Sequence, residues 1–302
     1  MKQKVAFVIV NWNHKDDTVR CLETLKEVKQ KNFEIIVYVI DNGSTNDSAA
    51  VIKKNHPWVI LIETENNLGF TGGNNIGIRS ALDVNADFIW ILNNDTLVDK
   101  NILSTIEVFK DPNVGIVGSK IYFAPGSEYH KIRYIEKNRG RVLWYAGGII
   151  DWDNMYASHR GVDEVDTGQY DNVEETPFVT GCSMIVKKEV FEKIGLFDDK
   201  FFAYLEDLDF CLRAKQAGFA LLYNPQSILW HKNSGSSGVG SKLHQYYMTR
   251  NRFIVGMRYA SIRTKFALVR EALRMIFTGP SIRRKAVLDT MLGKFGKQLY
   301  GD

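Results

Sequence analysis

The stretch Phe88-Ile89-Trp90-Ile91-Leu92-Asn93-Asn94-Asp95-Thr96 sets the architecture of this chain. Five consecutive apolar residues read as a strand of a parallel sheet, buried on both faces. The run stops at two amides and a carboxylate. In open α/β sheets, ligands bind beyond the carboxyl ends of the strands, so Asp95 stands where a substrate is expected.

Working outward, Lys4–Val10 is a second apolar strand, ending in Asn11-Trp12-Asn13. Asp16 or Asp17 is placed to cap a helix running to about Gln30, with Val19, Leu22, Leu25 and Val28 on one face. Phe33–Ile40 is a strand closed by Asp41-Asn42-Gly43-Ser44, followed by a helix near Asp47–Asn55 and a strand at Trp58–Ile62. A glycine-rich loop, Asn66 to Asn75, opens a helix to about Leu82. A helix after Asp99 and a strand at Val114–Ser119 complete the first 120 residues. Strands alternating with helices predict right-handed βαβ units and a parallel sheet of nucleotide-binding type.

Residues 121–176 show weak periodicity and read as loops and short strands. Strands are predicted at Pro177–Lys187, Ala220–Tyr223 and Ile228–Trp230, with a short helix at Leu205–Ala217 and a flexible Gly/Ser loop at Ser234–Ser241. From Lys242 the pattern is helical, broken at Gly279-Pro280. The expected division is 1–241 as the catalytic body (1–120 and 121–241 as its two halves) and 242–302 as a helical appendage.

The 302 residues suit one large α/β domain plus an appendage, and 45% hydrophobic with 25% charged residues is ordinary for a globular protein. Three scattered cysteines without Cys-x-x-Cys spacing argue against a zinc cluster or a disulfide framework and fit a reducing compartment. The run Val5–Val10 is too short for a signal-peptide core, and no apolar run approaches a membrane span. Net charge is +4, but Arg250–Gly301 carries twelve Lys/Arg against Glu271 and Asp289, leaving the body at about −6.

Several short motifs carry chemistry and also have plainer readings. Asp41-Asn42-Gly43-Ser44 is either a turn or an edge whose carboxylate accepts the N3–H of a pyrimidine. Asn67–Asn75 lacks the G-x-G-x-x-G spacing and follows the third strand, which disfavours dinucleotide binding. Its glycines still permit close backbone approach at a helix N-terminus, which suits a diphosphate. Asn93-Asn94-Asp95 resembles an Asp-x-Asp metal motif with its first acid replaced, or is a helix-capping turn. Glu206-Asp207-Leu208-Asp209 puts three acids in one helical turn. They serve the helix dipole, with Asp209 pairing to Arg213, or they raise one another's pKa and supply a general base. His231 ends a strand as a structural residue or as the further metal ligand the weakened acid motif needs.

Taken in order, Val8–Asn13, Asp41–Ser44, Asn67–Asn75, Leu92–Thr96, Thr180-Gly181, Glu206–Asp209 and His231 resemble the family 2 glycosyltransferases of the GT-A fold. The Asn-x-Gly-Phe-x-Gly-Gly-Asn-Asn and Asn-Asn-Asp forms look most like the rhamnosyltransferase branch, whose donor is dTDP-L-rhamnose. The resemblance implies that Asp41 holds the pyrimidine and that Val10 and Asn11 line the nucleoside pocket. Asn67, Gly69, Gly73, Asn74, Asn93 and Asn94 would approach the donor, and Asp95 with His231 would bind Mg²⁺ or Mn²⁺. Asp207 would be the catalytic base, with Glu206 and Asp209 orienting it and the acceptor. It further implies an inverting transfer from a nucleotide-sugar to a saccharide or lipid-linked acceptor in the cytoplasm. A UDP-sugar transferase of the same family, such as a galactofuranosyl enzyme, and a non-catalytic nucleotide-sugar-binding subunit are the alternatives. A sugar-nucleotide pyrophosphorylase would place glycines and basic residues after the first strand, where this chain has Asn11-Trp12-Asn13-His14.

On a helical wheel Phe266, Val269, Leu273, Ile276 and Phe277 share one arc, flanked by Arg263, Arg270 and Arg274 on one side and Lys265 on the other. That pattern suits an anionic membrane surface, or else a helix packed on the body or on a second subunit. No nucleic-acid-binding motif accompanies the charge.

Overall fold

The computed structural model describes residues 2–30, 32–130, 132–232 and 240–298. Its first part is the predicted alternation: β1 (Gln3–Asn11), α1 (Lys15–Lys26), β2 (Phe33–Asp41), α2 (Ser48–Asn55), β3 (Ile60–Glu63), α3 (Gly69–Asp83) and β4 (Phe88–Asn93). These strands lie in the order β3-β2-β1-β4, all parallel. Alternation within β1 explains why the run is apolar throughout. Val5, Phe7 and Ile9 pack beneath α1 with Leu22 and Leu25, while Ala6 and Val8 face α3 with Ile78 and Ala81. Trp90 of β4 stacks on Phe7 at 5.0 Å and donates its Nε1–H to Ser183.

The chain continues through β5 (Thr96–Val98), a 3₁₀ run at Ile102–Lys110, β6 (Val114–Phe123), β7 (Leu143–Tyr145), β8 (Gly148–Asp151), β9 (Tyr156–His159), β10 (Glu174–Glu175), β11 (Ser183–Lys187), α4 (Lys188–Ile194), α5 (Glu206–Gln216) and β12 (Ala220–His231). β11 runs antiparallel between β4 and β6, and β12 extends the sheet parallel to β6. The result is one mixed, mostly parallel ten-stranded sheet with helices on both faces, beside the separate β8–β9 hairpin. Cys21, Cys182 and Cys211 are free and buried.

Several local expectations are corrected. α1 begins at Lys15 without a side-chain cap, so Asp16 and Asp17 lie inside its first turn, and it ends at Lys26 rather than Gln30. The glycine-rich segment is the start of α3 itself, not a loop before it. Close packing on β1 demands this: a Cβ at Gly77 would lie 2.3 Å from Val8 Cγ1, and one at Gly73 2.9 Å from Val10 Cγ1. β6 runs four residues past Ser119, and β11 starts only at Ser183 because 177–182 is loop. The two strands expected at 220–223 and 228–230 are one, β12, with a register shift between Asn224 and Ile228. Most of the expected Gly/Ser loop, 233–239, lies outside the described residues.

Three helices follow: α6 (Lys242–Tyr259), α7 (Ile262–Thr278) and α8 (Ser281–Met291). The break at Gly279-Pro280 is present, and a second falls at Ala260-Ser261, where Ser261 caps α7 through Thr264 N–H. Among the described residues no helix is long and apolar enough to cross a membrane.

One of the attachments of α6 to the body is the segment 200–205. Phe202, Tyr204 and Leu205 all have φ between 64° and 70°, a left-handed conformation costing roughly 1–2 kcal/mol for each non-glycine residue. Buried Asn251 offsets that cost by donating through Nδ2 to the carbonyls of Phe201, Ala203 and Tyr204 at 3.1, 2.7 and 2.7 Å. Arg250 donates to Lys200 O and Phe201 O and orients Asn251 through its Oδ1. Replacing Asn251→Ala takes its donor from three carbonyls beside strained backbone, of which Phe201 O keeps Arg250. It should cost about 3 kcal/mol or more of unfolding free energy, read as a lower urea midpoint. A loss below about 1 kcal/mol would mean that Arg250 alone holds the segment.

Candidate active site

A cleft of about 830 Å³ opens along the carboxyl edge of β1, β2 and β4. Parallel strands put their polar last residues at one edge, and register aligns them: Asn11 beside Asp41, and Val10 beside Asn93. β11 contributes to that edge because it is antiparallel. Its start, Ser183, pairs with Leu92, and Asn93 N–H donates to Cys182 O. Thr180, Gly181 and Cys182 therefore enter the cleft wall.

On the β2 side, Asn11 and Asp41 are brought together but lie behind the wall. Asn11 Nδ2 contacts Asp41 Oδ1 and Ser44 Oγ at 3.4 and 3.2 Å, and Asn11 Oδ1 accepts from Thr18 Oγ1 at 2.8 Å. The cleft surface in front of them is Val10, Trp12 and Asn42. Asn42 staples the end of β2 to the start of α3. Its Nδ2 donates to Asn67 Oδ1 and Gly69 O, and its Oδ1 accepts Leu68 N–H at 3.0 Å. Asn42-Gly43 is thus both a turn and part of the site: Gly43 has φ +71° and a Cβ there would lie 2.5 Å from Asn66 C. Asn67, Gly69 and Asn74 line the cleft, whereas Gly73 packs against Val10 beneath it. Asn74 Oδ1 is buried with no hydrogen-bond partner among the described residues.

Asn93, Asn94 and Asp95 all reach the cleft, and Asn94 Nδ2 is anchored on Thr18 Oγ1 at 2.9 Å. β12 pairs antiparallel with β5, placing His231 opposite Thr96, and His231 Nε2 meets Asp95 Oδ1 at 3.0 Å. Residues 136 positions apart are thereby joined at the cleft floor. Among the described residues no group of three or more His, Cys, Asp or Glu side chains converges as a metal site. The pair itself fits a hard cation that takes its other ligands from phosphate and water: one carboxylate oxygen and one imidazole nitrogen, facing each other in the cleft. His231 packs edge-on against Trp144, which packs likewise on His159. Burial drives the His159 pKa down to about 4, so this cleft-lining ring is neutral.

The opposite wall carries the acids. Asp207 accepts Gly181 N–H at 2.9 Å and Leu208 N–H at 2.8 Å. Burial nevertheless pushes its pKa above the ordinary carboxylate range. Glu206 is pushed further, by burial and then by the neighbouring Asp207 charge, and its Oε2 has no partner among the described residues. The two carboxyls are told apart by their surroundings: Asp207, with two backbone N–H donors, is the better placed to carry a charge. Asp209 is not in the cleft. It is fully buried against α6, where Arg213 Nε, Arg258 Nη1 and Tyr259 Oη reach it at 2.9, 2.7 and 2.8 Å. The predicted Asp209–Arg213 pair is therefore real, and Arg258 and Tyr259 make Asp209 a strut between α5 and α6 rather than an orienting group at the acceptor.

Sequence reading passed over Trp12, Asn42, Trp144 and His159, all cleft-lining, and Arg250 and Asn251 behind the cleft. Trp12 was visible as an aromatic directly after a strand end. Asn42 lies inside the Asp41–Ser44 motif, where only the carboxylate was given a role, and the others lie in segments whose periodicity and neighbours carry no comparable cue.

The chain matches a family model described as glycosyltransferase like family 2 over residues 2–256. It is 27% identical over 271 residues to the dTDP-rhamnosyl transferase RfbF of Shigella flexneri, covering 84% of this chain and 80% of that protein. It is 23% identical over 269 residues to the low-salt glycan biosynthesis hexosyltransferase Agl10 of Haloferax volcanii, covering 88% and 75%. Among solved structures, the mannosyltransferase PcManGT from Pyrobaculum calidifontis, in complex with GDP-Man and Mn²⁺, superposes with a TM-score of 0.58 at 14% identity. That match covers 97% of this chain and 75% of the other. The chain belongs to glycosyltransferase family 2 and folds as a GT-A enzyme.

Proposed function

We propose that this glycosyltransferase is inverting and moves L-rhamnose from dTDP-L-rhamnose onto a hydroxyl of a saccharide or lipid-linked saccharide. The observation that carries the chemistry is one cleft with two unlike walls. One holds a half-buried, pKa-raised carboxylate on two backbone N–H groups, and the other holds the Asp95–His231 pair beside the strand-end amides of Asn42, Asn93 and Asn94. The donor choice is supported by the Asn67–Asn75 and Asn93–Asp95 motifs and by the likeness to RfbF.

In this reading the pyrimidine lies against Val10, Trp12 and Asn42, with Asp41 and Asn11 stiffening the wall behind. The start of α3 turns its positive dipole end and the cleft-lining Asn67 and Asn74 toward the diphosphate, its Leu68, Gly69 and Thr71 N–H groups being held by Asn42, Asn67 and Phe202 O. Asp95 and His231 would hold a divalent cation, which neutralises charge on the departing diphosphate when bound. Asp207 takes the proton of the acceptor hydroxyl while that oxygen bonds to the anomeric carbon. The bond to the diphosphate oxygen breaks with its electron pair leaving on dTDP, so one displacement inverts the configuration. Glu206 stays protonated beside it. Aromatic side chains at Trp144, Phe178 and Tyr129 offer apolar faces for the acceptor's sugar rings.

Three outcomes are expected. In thermal-shift titrations, dTDP should raise the melting temperature more with Mn²⁺ than without, and more than UDP does, with the Mn²⁺ increment lost in Asp95→Ala. A stronger response to UDP would move the donor to a uridine nucleotide, and no response to either would favour a subunit without transferase activity. Asp207→Asn should lower kcat by roughly 10²- to 10⁴-fold with donor affinity nearly unchanged. Unimpaired turnover would remove Asp207 as the base.

The third outcome concerns pH. A raised Asp207 pKa means that activity falls as pH drops through a value above the ordinary carboxylate range. Glu206→Gln replaces a neutral acid with a neutral amide, so the acid limb of kcat/KM should stay in place. A limb displaced to lower pH would show that Glu206 is ionised in the working enzyme.

A further inference from the structure

We propose that the outer face of α7 is a membrane-docking surface for an anionic lipid leaflet, a property independent of the sugar-transfer reading. Ile262, Phe266, Val269, Leu273 and Phe277 fall within an arc of about 80° on a helix of about 3.6 residues per turn. All five are exposed, Ile262 at 75%, Phe266 at 71% and Phe277 at 79%. Such a contiguous apolar stripe is costly in water. Its buried counterpart is accounted for: Leu268 packs on Gly256, and Glu271 forms a bidentate pair with Arg252 at 2.7 and 2.9 Å. The stripe is thus the face that α6 leaves uncovered.

Charge identifies the occupant. Arg263, Arg270 and Arg274 are exposed along one border of the stripe, and Lys265 marks the other. A basic border beside large apolar side chains matches a headgroup layer over acyl chains, the long cationic side chains reaching the phosphates while the rings enter the interface. A second copy of the same stripe in an antiparallel dimer would bring like charges together. Position favours the membrane further. The contacts 256 with 268 and 252 with 271 make α7 antiparallel to α6, carrying Phe277 back toward the first turns of α6, where Leu243, His244 and Met248 line the cleft.

The test is sedimentation of the full chain with vesicles of phosphatidylcholine alone or mixed with phosphatidylglycerol. The protein should pellet with the anionic vesicles only, and less so at high salt. Phe266→Ser with Phe277→Ser should weaken binding by roughly tenfold or more, and Arg263→Gln with Arg270→Gln and Arg274→Gln by roughly a hundredfold. Because these side chains are exposed, melting temperature should not move in either variant, separating loss of docking from loss of fold. Failure to pellet, or binding unchanged in both variants, would overturn the proposal. So would a concentration-dependent dimer in sedimentation velocity that the Phe266→Ser, Phe277→Ser variant abolishes, since that assigns the stripe to a second copy.

Discussion

The antiparallel insertion of β11 beside β4 is the constraint on which the site depends. A purely parallel continuation would have sent the segment before β11 to the far edge of the sheet. Instead the ladder from Leu92–Ser183 to Phe88–Lys187 brings Thr180–Cys182 to the edge where β1, β2 and β4 end. Gly181 N–H then reaches Asp207, so the acid on α5 is tied to the strand that carries Asn93. One reversal of strand direction makes two separated halves of the chain share a cleft.

The rest of the architecture keeps that edge polar and the interior dry. β1, β2 and β4 are buried on both faces through their inner stretches, leaving no place there for amides or acids. They collect at the strand ends, where the first helical turns supply N–H groups. The acids on the α5 turn are then differentiated by surroundings. Glu206 lacks partners on Oε2, Asp207 has two backbone donors, and Asp209 is neutralised by Arg213, Arg258 and Tyr259. Three neighbouring carboxyls consequently sit in three different environments, although the sequence presents them as equals.

What was legible followed from local pattern. β1, β2 and β4 were readable as apolar runs, and the Asp209–Arg213 pair as an i, i+4 spacing. The start of α3 was not, because glycine's poor helix propensity argues for a loop, and only the contact of Gly73 and Gly77 with β1 reverses that judgement. The single strand β12 was hidden by Pro225, whose bulge looks like a turn. The meeting of Asp95 with His231 depends on the β5–β12 register, which no window of sequence contains. It was reachable through motif order alone. Arg250 and Asn251 were invisible for a further reason. Their partners are backbone carbonyls, which leave no residue type to recognise.

Gly69 carries a last consequence. Its missing side chain lets the start of α3 approach Phe202 so closely that a Cβ would lie 2.4 Å from Phe202 O, and Thr71 N–H donates to the same oxygen. Phe202 opens the left-handed segment that ends at Glu206 and Asp207. The helix that would meet the donor's diphosphate therefore touches the backbone leading into the proposed base, without an intervening side chain to absorb displacement. Occupancy of one half and posture of the other are mechanically linked. In the proposed transfer, such a linkage favours entry of the nucleotide-sugar before the acceptor.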